Sequence, residues 1–127
     1  MPWQIIVHPD SQVIETAYSG VMPRDELFAA VYEILNTAEQ NNFTHFLADC
    51  STLNGGHTIF DLYYLAREVS ARAGLKVMYE AVLMPSYPSL MEKINFWETV
   101  GVNRGFKVRI FRERAAALDW LTGTFSN

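Results

Sequence analysis

The order of apolar and polar positions assigns secondary structure to most of this chain. Gln4–His8 is a short β-prone run, Pro9-Asp10-Ser11 supplies turn formers, and Gln12–Ser19 is a second run ended by Gly20. The pair predicts a β-hairpin. Pro23 suits the first helical position, where its missing N–H costs nothing. Over Arg24–Gln40 the residues Leu27, Val31, Ile34 and Ala38 recur at i, i+4, i+7 and i+11, one stripe of an amphipathic helix. Asp25 and Glu26 lie at the positive end of its dipole, and Asn41-Asn42 stops it. Phe43–Cys50 predicts a strand and Ser51–His57 a loop. Thr58, three residues before Asp61, makes a capping box for a second helix, with Ile59, Leu62, Ala66, Val69 and Ala73 as its buried stripe. Gly74 is placed as a left-handed C-cap and Leu75 as its hydrophobic follower. Lys76–Met84 predicts a strand ended by Pro85. Ser89 and Glu92 cap a third helix with Leu90, Ile94, Trp97 and Gly101 facing inward, closed by Asn103-Arg104-Gly105. Phe106–Phe111 is the last strand. Glu113–Leu121 is a short last helix that makes its contacts through Ala117, Leu118 and Leu121, and Thr122–Asn127 reads as loose.

After the hairpin turn, strands start at 12, 43, 76 and 106, spacings of 31, 33 and 30 residues, the size of a βα unit. This predicts an α/β fold: a mostly parallel five-stranded sheet with right-handed crossovers and an antiparallel first strand. A length of 127 residues fits one domain, 1–127. With 50% apolar and 19% charged residues the chain can fill a core and is not disordered in character. No apolar run reaches the ~18 residues of a membrane span. The first residues carry no basic stretch or small-residue cleavage site, so a cytoplasmic protein is expected. A single cysteine, Cys50, excludes a disulfide framework and a Cys-based zinc site. A net charge of −4 argues against nucleic acid as partner.

The C-terminal third carries the most specific pattern. Phe96-Trp97-Glu98-Thr99-Val100 precedes Asn103-Arg104-Gly105. Lys107-Val108-Arg109-Ile110-Phe111-Arg112 is followed by Ala116-Ala117-Leu118-Asp119-Trp120-Leu121. With the hairpin and the succession of βα units this resembles the STAS family, the SpoIIAA-like domains of bacterial anti-sigma-factor antagonists. The stand-alone SpoIIAA-like proteins related to the CRAL-TRIO lipid-transfer fold look nearest. The resemblance implies a non-enzymatic regulatory module that binds protein, and, through the CRAL-TRIO relatives, alternatively a carrier or sensor of a small apolar or lipid-like ligand. The family's phosphorylated Asp-Ser-Ser/Thr-Gly motif is missing. The equivalent stretch is Asn54-Gly55-Gly56-His57-Thr58-Ile59-Phe60-Asp61, with a hydroxyl only at Thr58.

Several residues qualify for chemistry. Ligands of parallel sheets sit beyond the carboxyl ends of the strands. Asp49, Ser51, Ser86 and the loop Asn54, Gly55, Gly56, His57, Thr58 are therefore candidates for a small anion or polar headgroup. The competing reading makes Asp49 a loop cap and the glycines a turn. Cys50 with His57 is a weak nucleophile pair, because a cysteine on a buried strand behaves as a small apolar residue. His8, His45 and His57 share no helical spacing, so neither a metal nor a cofactor is expected. Residues 104–114 hold Arg104, Lys107, Arg109, Arg112 and Arg114 against Glu113. The alternation of Phe106, Val108 and Ile110 with Lys107 and Arg109 predicts an edge strand with a solvated outer face. Opposite the buried stripe of the second helix lie Phe60, Tyr64, Arg67 and Ala71, where a surface helix should be polar. These four are expected to meet a partner, either another protein or a second copy in a homodimer. Met78, Met84, Tyr87, Met91, Phe96 and Trp97 cluster near the third βα unit as candidates for an apolar pocket.

Overall fold

The computed structural model describes residues 2–126. Met1 and Asn127, the ends of the expected 1–127 unit, lie outside the described residues. The strands are β1 (Trp3–His8), β2 (Val13–Gly20), β3 (His45–Leu53), β4 (Tyr79–Leu83) and β5 (Lys107–Phe111). The helices are α1 (Arg24–Asn41), α2 (Ile59–Ala73), α3 (Met91–Asn103) and α4 (Arg114–Gly123), with 3-10 turns at Pro88–Leu90 and Thr124–Ser126.

The sheet runs β1-β2-β3-β4-β5 in chain order, with β1 antiparallel to β2 and the other neighbours parallel. Residues at alternate positions go to opposite faces. Ile14, Phe46, Ala48, Val82 and Val108 face α1, α2 and α3, which share one side of the sheet. Val13, Leu47, Ala81 and Leu83 face Ala117 and Leu121 of α4 on the other. Three crossovers of one hand put three helices on one face, and only the last helix turns to the second. Gly101 allows α3 its approach to β5, since a Cβ there would lie 2.9 Å from Val108 Cγ2.

Local chemistry set the elements much as their pattern predicts, with six corrections. α3 does not begin at Ser89. Pro88 opens a 3-10 turn instead, and α3 starts at Met91 with no side-chain cap. Leu75 packs on nothing and is fully exposed, because Gly74 adopts φ 60°, ψ −119° rather than a left-handed helical C-cap. Ile59 is only half-buried, and Leu65 joins the buried stripe of α2. β3 extends through Ser51 to Leu53, whereas β4 is confined to Tyr79–Leu83. The tail is not loose: His45 stacks between Tyr79 and Phe125 and shares a 2.6 Å hydrogen bond with Thr124, so residues 124 and 125 are fixed to the sheet. β5 is the edge strand expected, but its outer face is partly covered, as the Arg109 guanidinium lies over Phe111 and Trp120 of α4 at 5.4 and 5.7 Å.

Candidate functional site: a cavity between the sheet and three helices

Between the sheet and α1–α3 lies a cavity of about 120 Å³. Leu27, Val31 and Ile34 of α1, Leu62, Leu65 and Val69 of α2, and Ile94 of α3 form its helical wall. Phe46, Ala48 and Val82 form its sheet wall. A cavity of this kind arises where small and branched side chains meet across a twisted sheet without a large residue to fill the layer. Ala48 contributes only a methyl group to the sheet wall.

The wall also carries polar groups, and each is placed by its element. Thr16 and Tyr18 alternate with Glu15 and Ala17 on β2 and so face the cavity, as do Cys50 on β3 and Glu80 on β4. Lys93 and Trp97, one turn apart on α3, face it from the other side. Trp97 donates its indole N–H to Glu80 Oε1 at 2.6 Å. Burial pushes the Glu80 carboxyl up to about 7, against the lowering effect of that hydrogen bond. Burial likewise pushes up the Cys50 thiol and the Tyr18 phenol, helped in both by neighbouring acids. Cys50 is therefore a protonated thiol in its buried setting, which does not suit a nucleophile. His57 is held below the usual range by burial, partly offset by its bond to the Met22 carbonyl at 3.1 Å.

The residues expected at the carboxyl ends of the strands divide into two groups. Asp49 lies on the α4 side of the sheet and accepts from Ser51 N and Oγ at 3.0 and 2.6 Å. Ser86 donates N–H and Oγ–H to the Ser51 carbonyl at 3.2 and 2.8 Å. The second group meets the β2–α1 connection. Asn54 N donates to Gly20 O at 2.7 Å, and Gly55 O accepts from Met22 N at 2.8 Å. Gly56, at φ 103°, lies so close to Met22 that a Cβ would come within 2.7 Å of its backbone. Thr58 forms the capping box: its Oγ1 accepts from Asp61 N at 3.1 Å, and Asp61 Oδ2 accepts from Thr58 N at 2.8 Å. Of these residues only His57 reaches the cavity, with Lys93 Nζ donating to its carbonyl at 2.6 Å.

On α2, Phe60, Tyr64, Arg67 and Ala71 are all exposed, and Tyr63 joins them. Phe60 keeps 75% of its surface. Arg67 lies over Tyr64 at 5.9 Å and Arg104 over Tyr63 at 5.6 Å. Of the methionine and aromatic cluster, Met78 and Trp97 line the cavity, Phe96 packs against the core beside it, and Met84, Tyr87 and Met91 do not line it. His8 and Arg114 both bond Glu15 on the α4 side, His8 at 2.8 Å and Arg114 through both terminal nitrogens. Among the described residues no group of three or more His, Cys, Asp or Glu is placed to hold a metal ion, and no helix is long and apolar enough to cross a membrane.

Sequence reasoning passed over Glu80 and Tyr18. The available signal was a lone carboxylate in the apolar run Met78–Met84. A charged residue on an inward position of a buried strand is rare unless it has a task or a partner.

A mixed sheet in chain order, three helices on one side and a fourth on the other define the class: the chain has a SpoIIAA-like α/β fold. It is similar to the crystal structure of an uncharacterised DUF3478-family protein with a SpoIIAA-like fold from Shewanella loihica PV-4. The TM-score is 0.64 and the identity 15%, over 94% of this chain and 93% of that one. No family model and no curated protein matches the chain.

Proposed function

We propose that this protein is a non-enzymatic binding module whose cavity takes up a small, mostly apolar molecule. The observation that carries this reading is the cavity of about 120 Å³ with apolar walls and a few inward polar groups. Ligand sites have that composition, and apolar cavities on the order of 150 Å³ bind benzene. The relation to the CRAL-TRIO lipid-transfer fold that the sequence resemblance implies agrees with it as an analogy of fold. Titration with toluene, followed by methyl resonances of Leu62, Val69 and Val82, tests it. Saturable shifts at these residues are expected; unchanged methyl resonances up to the solubility of toluene overturn the reading.

A second reading keeps the STAS-type role in regulation through protein contact, in a cytoplasmic setting. It is favoured by the aromatic face of α2, where Phe60 is three-quarters exposed beside Tyr63 and Tyr64. The partner is another protein or a second copy of this chain. Replacing Phe60 and Tyr64 by serine should leave the fold intact and, for a homodimer, lower the mass seen by sedimentation. A wild type that is monomeric at high concentration excludes the homodimer. The missing Asp-Ser-x-Gly argues against the usual serine switch, and the Thr58 hydroxyl is engaged as a helix cap. Stoichiometric phosphate on Thr58 after incubation with an anti-sigma-type kinase and ATP would reverse that view.

A further inference from the structure

Three polar groups of the cavity wall, Glu80 Oε2 and the hydroxyls of Thr16 and Tyr18, show no hydrogen-bond partner among the described residues. Glu80 Oε1 accepts from Trp97, but nothing donates to Oε2. Glu80 is part-buried, on an inward position of β4. No fully covered side-chain oxygen or nitrogen of the described residues lacks a partner. Oε2 therefore keeps free surface, on a residue that lines the cavity. The same reasoning holds for the hydroxyl of Tyr18, a residue only 7% exposed. An acceptor set among apolar walls gains from a donor that enters with a ligand.

We propose, resting on the reading that this cavity holds a small apolar molecule, that its occupant is neutral, of about benzene's size, and carries one hydroxyl or N–H donor that bonds the free oxygen of Glu80. Size follows from the 120 Å³ available. Neutrality follows from the surroundings. An anionic ligand would place a second negative charge beside Glu80. A cation would give up its hydration to apolar walls with only one carboxyl to meet it. The titratable groups around Glu80 are Tyr18 from β2, Cys50 from β3, and His57 and Lys93 on the α2 and α3 side. Tyr18 and Cys50 are raised and His57 is lowered, so all three stay neutral near pH 7, and the Lys93 ammonium is engaged by the His57 carbonyl. Glu80 is therefore the group that titrates there. A donor bonds a carboxylate more strongly than a carboxylic acid. Binding of the ligand thus favours ionised Glu80 and strengthens as pH rises through the neutral range.

The probes are benzyl alcohol, toluene and benzoate, titrated into wild type, Glu80→Gln and Glu80→Met, with the Trp97 indole N–H resonance reporting on the site. In wild type the affinity for benzyl alcohol should rise several-fold between pH 6 and pH 8, while that for toluene stays level and benzoate binds least. The ratio of benzyl alcohol to toluene affinity should fall about tenfold in Glu80→Met. In Glu80→Gln the pH dependence should vanish. Should Glu80→Met fail to fold, the wild-type pH series and Glu80→Gln still decide. If toluene binds but benzyl alcohol shows no pH dependence in wild type, the donor assignment is overturned and the cavity reading stands. Preferred binding of benzoate overturns it too. If neither toluene nor benzyl alcohol binds, the cavity reading falls, and this assignment with it.

Discussion

Glu80 shows how one residue can carry a pH dependence for the whole fold. Its carboxyl is raised from 4.5 to about 7 in the folded chain. Below pH 4.5 the acid is protonated in both states and costs nothing. Between 4.5 and about 7 the folded chain holds a proton that the unfolded chain has lost, so stability falls as pH rises, and it levels off above. The full loss is about 3 kcal/mol. Glu80→Gln keeps an acceptor for Trp97 and should abolish that decline, which urea titrations at pH 5 and pH 8 would reveal as a wild-type difference missing in the variant. Glu15 behaves in the opposite sense. The Arg114 guanidinium lowers its carboxyl despite burial, so its contribution is present at neutral pH and lost in acid. Arg114→Ala leaves a carboxylate with 6% of its side chain exposed facing only His8, and should cost about 1–3 kcal/mol at pH 7 and less near pH 3. Neither role was legible in the sequence. Both acids sit in runs whose periodicity says only that the strand is buried, and their partners, Trp97 and Arg114, lie 17 and 99 residues away.

Elements were legible where the signal was local. The Thr58–Asp61 box, the acidic first turn of α1 and the spacing of the βα units all act over a few residues or one repeat, and all appear in the fold. Ser89-x-x-Glu92 has the same local form and fails, because Pro88 fits the first position of a tighter turn. The tail departs from its local pattern for the converse reason: Thr124 and Phe125 are fixed by His45, a contact no local pattern reports. The loop before α2 gives the clearest test at this scale. Gly56→Ala combines a positive φ of 103° with a Cβ 2.7 Å from the Met22 backbone. It should destabilise the chain by more than about 2 kcal/mol in denaturant titration. Thr58→Ala, which removes only the cap, should cost about 1 kcal/mol. A smaller loss for Gly56→Ala than for Thr58→Ala would show that the β2–α1 contact does not constrain the loop.

At the scale of the molecule the two faces of the sheet have separate duties. The α1–α3 face holds the cavity, and on the α4 face Leu47 and Ala81 pack with Ala117 and Leu121 in a separate buried cluster. Leu121 is fully buried. Leu121→Ala should therefore cost about 2–5 kcal/mol by cavity formation while leaving toluene affinity in the other layer unchanged. A matched loss of affinity would mean that the layers are mechanically coupled through the sheet. The same division bears on how the chain forms during synthesis. Strands join the sheet in the order in which a ribosome would release them, so pairing can proceed from β1 to β5 without waiting for distant segments. The α4 face has no such cover until the last helix emerges. A nascent chain ending at Arg112 would present Val13, Leu47, Ala81 and Leu83 as an uncovered apolar surface, the kind of surface that chaperones retain. Such a truncated chain should bind a hydrophobic dye that the full chain excludes, and adding α4 as a separate peptide should displace it.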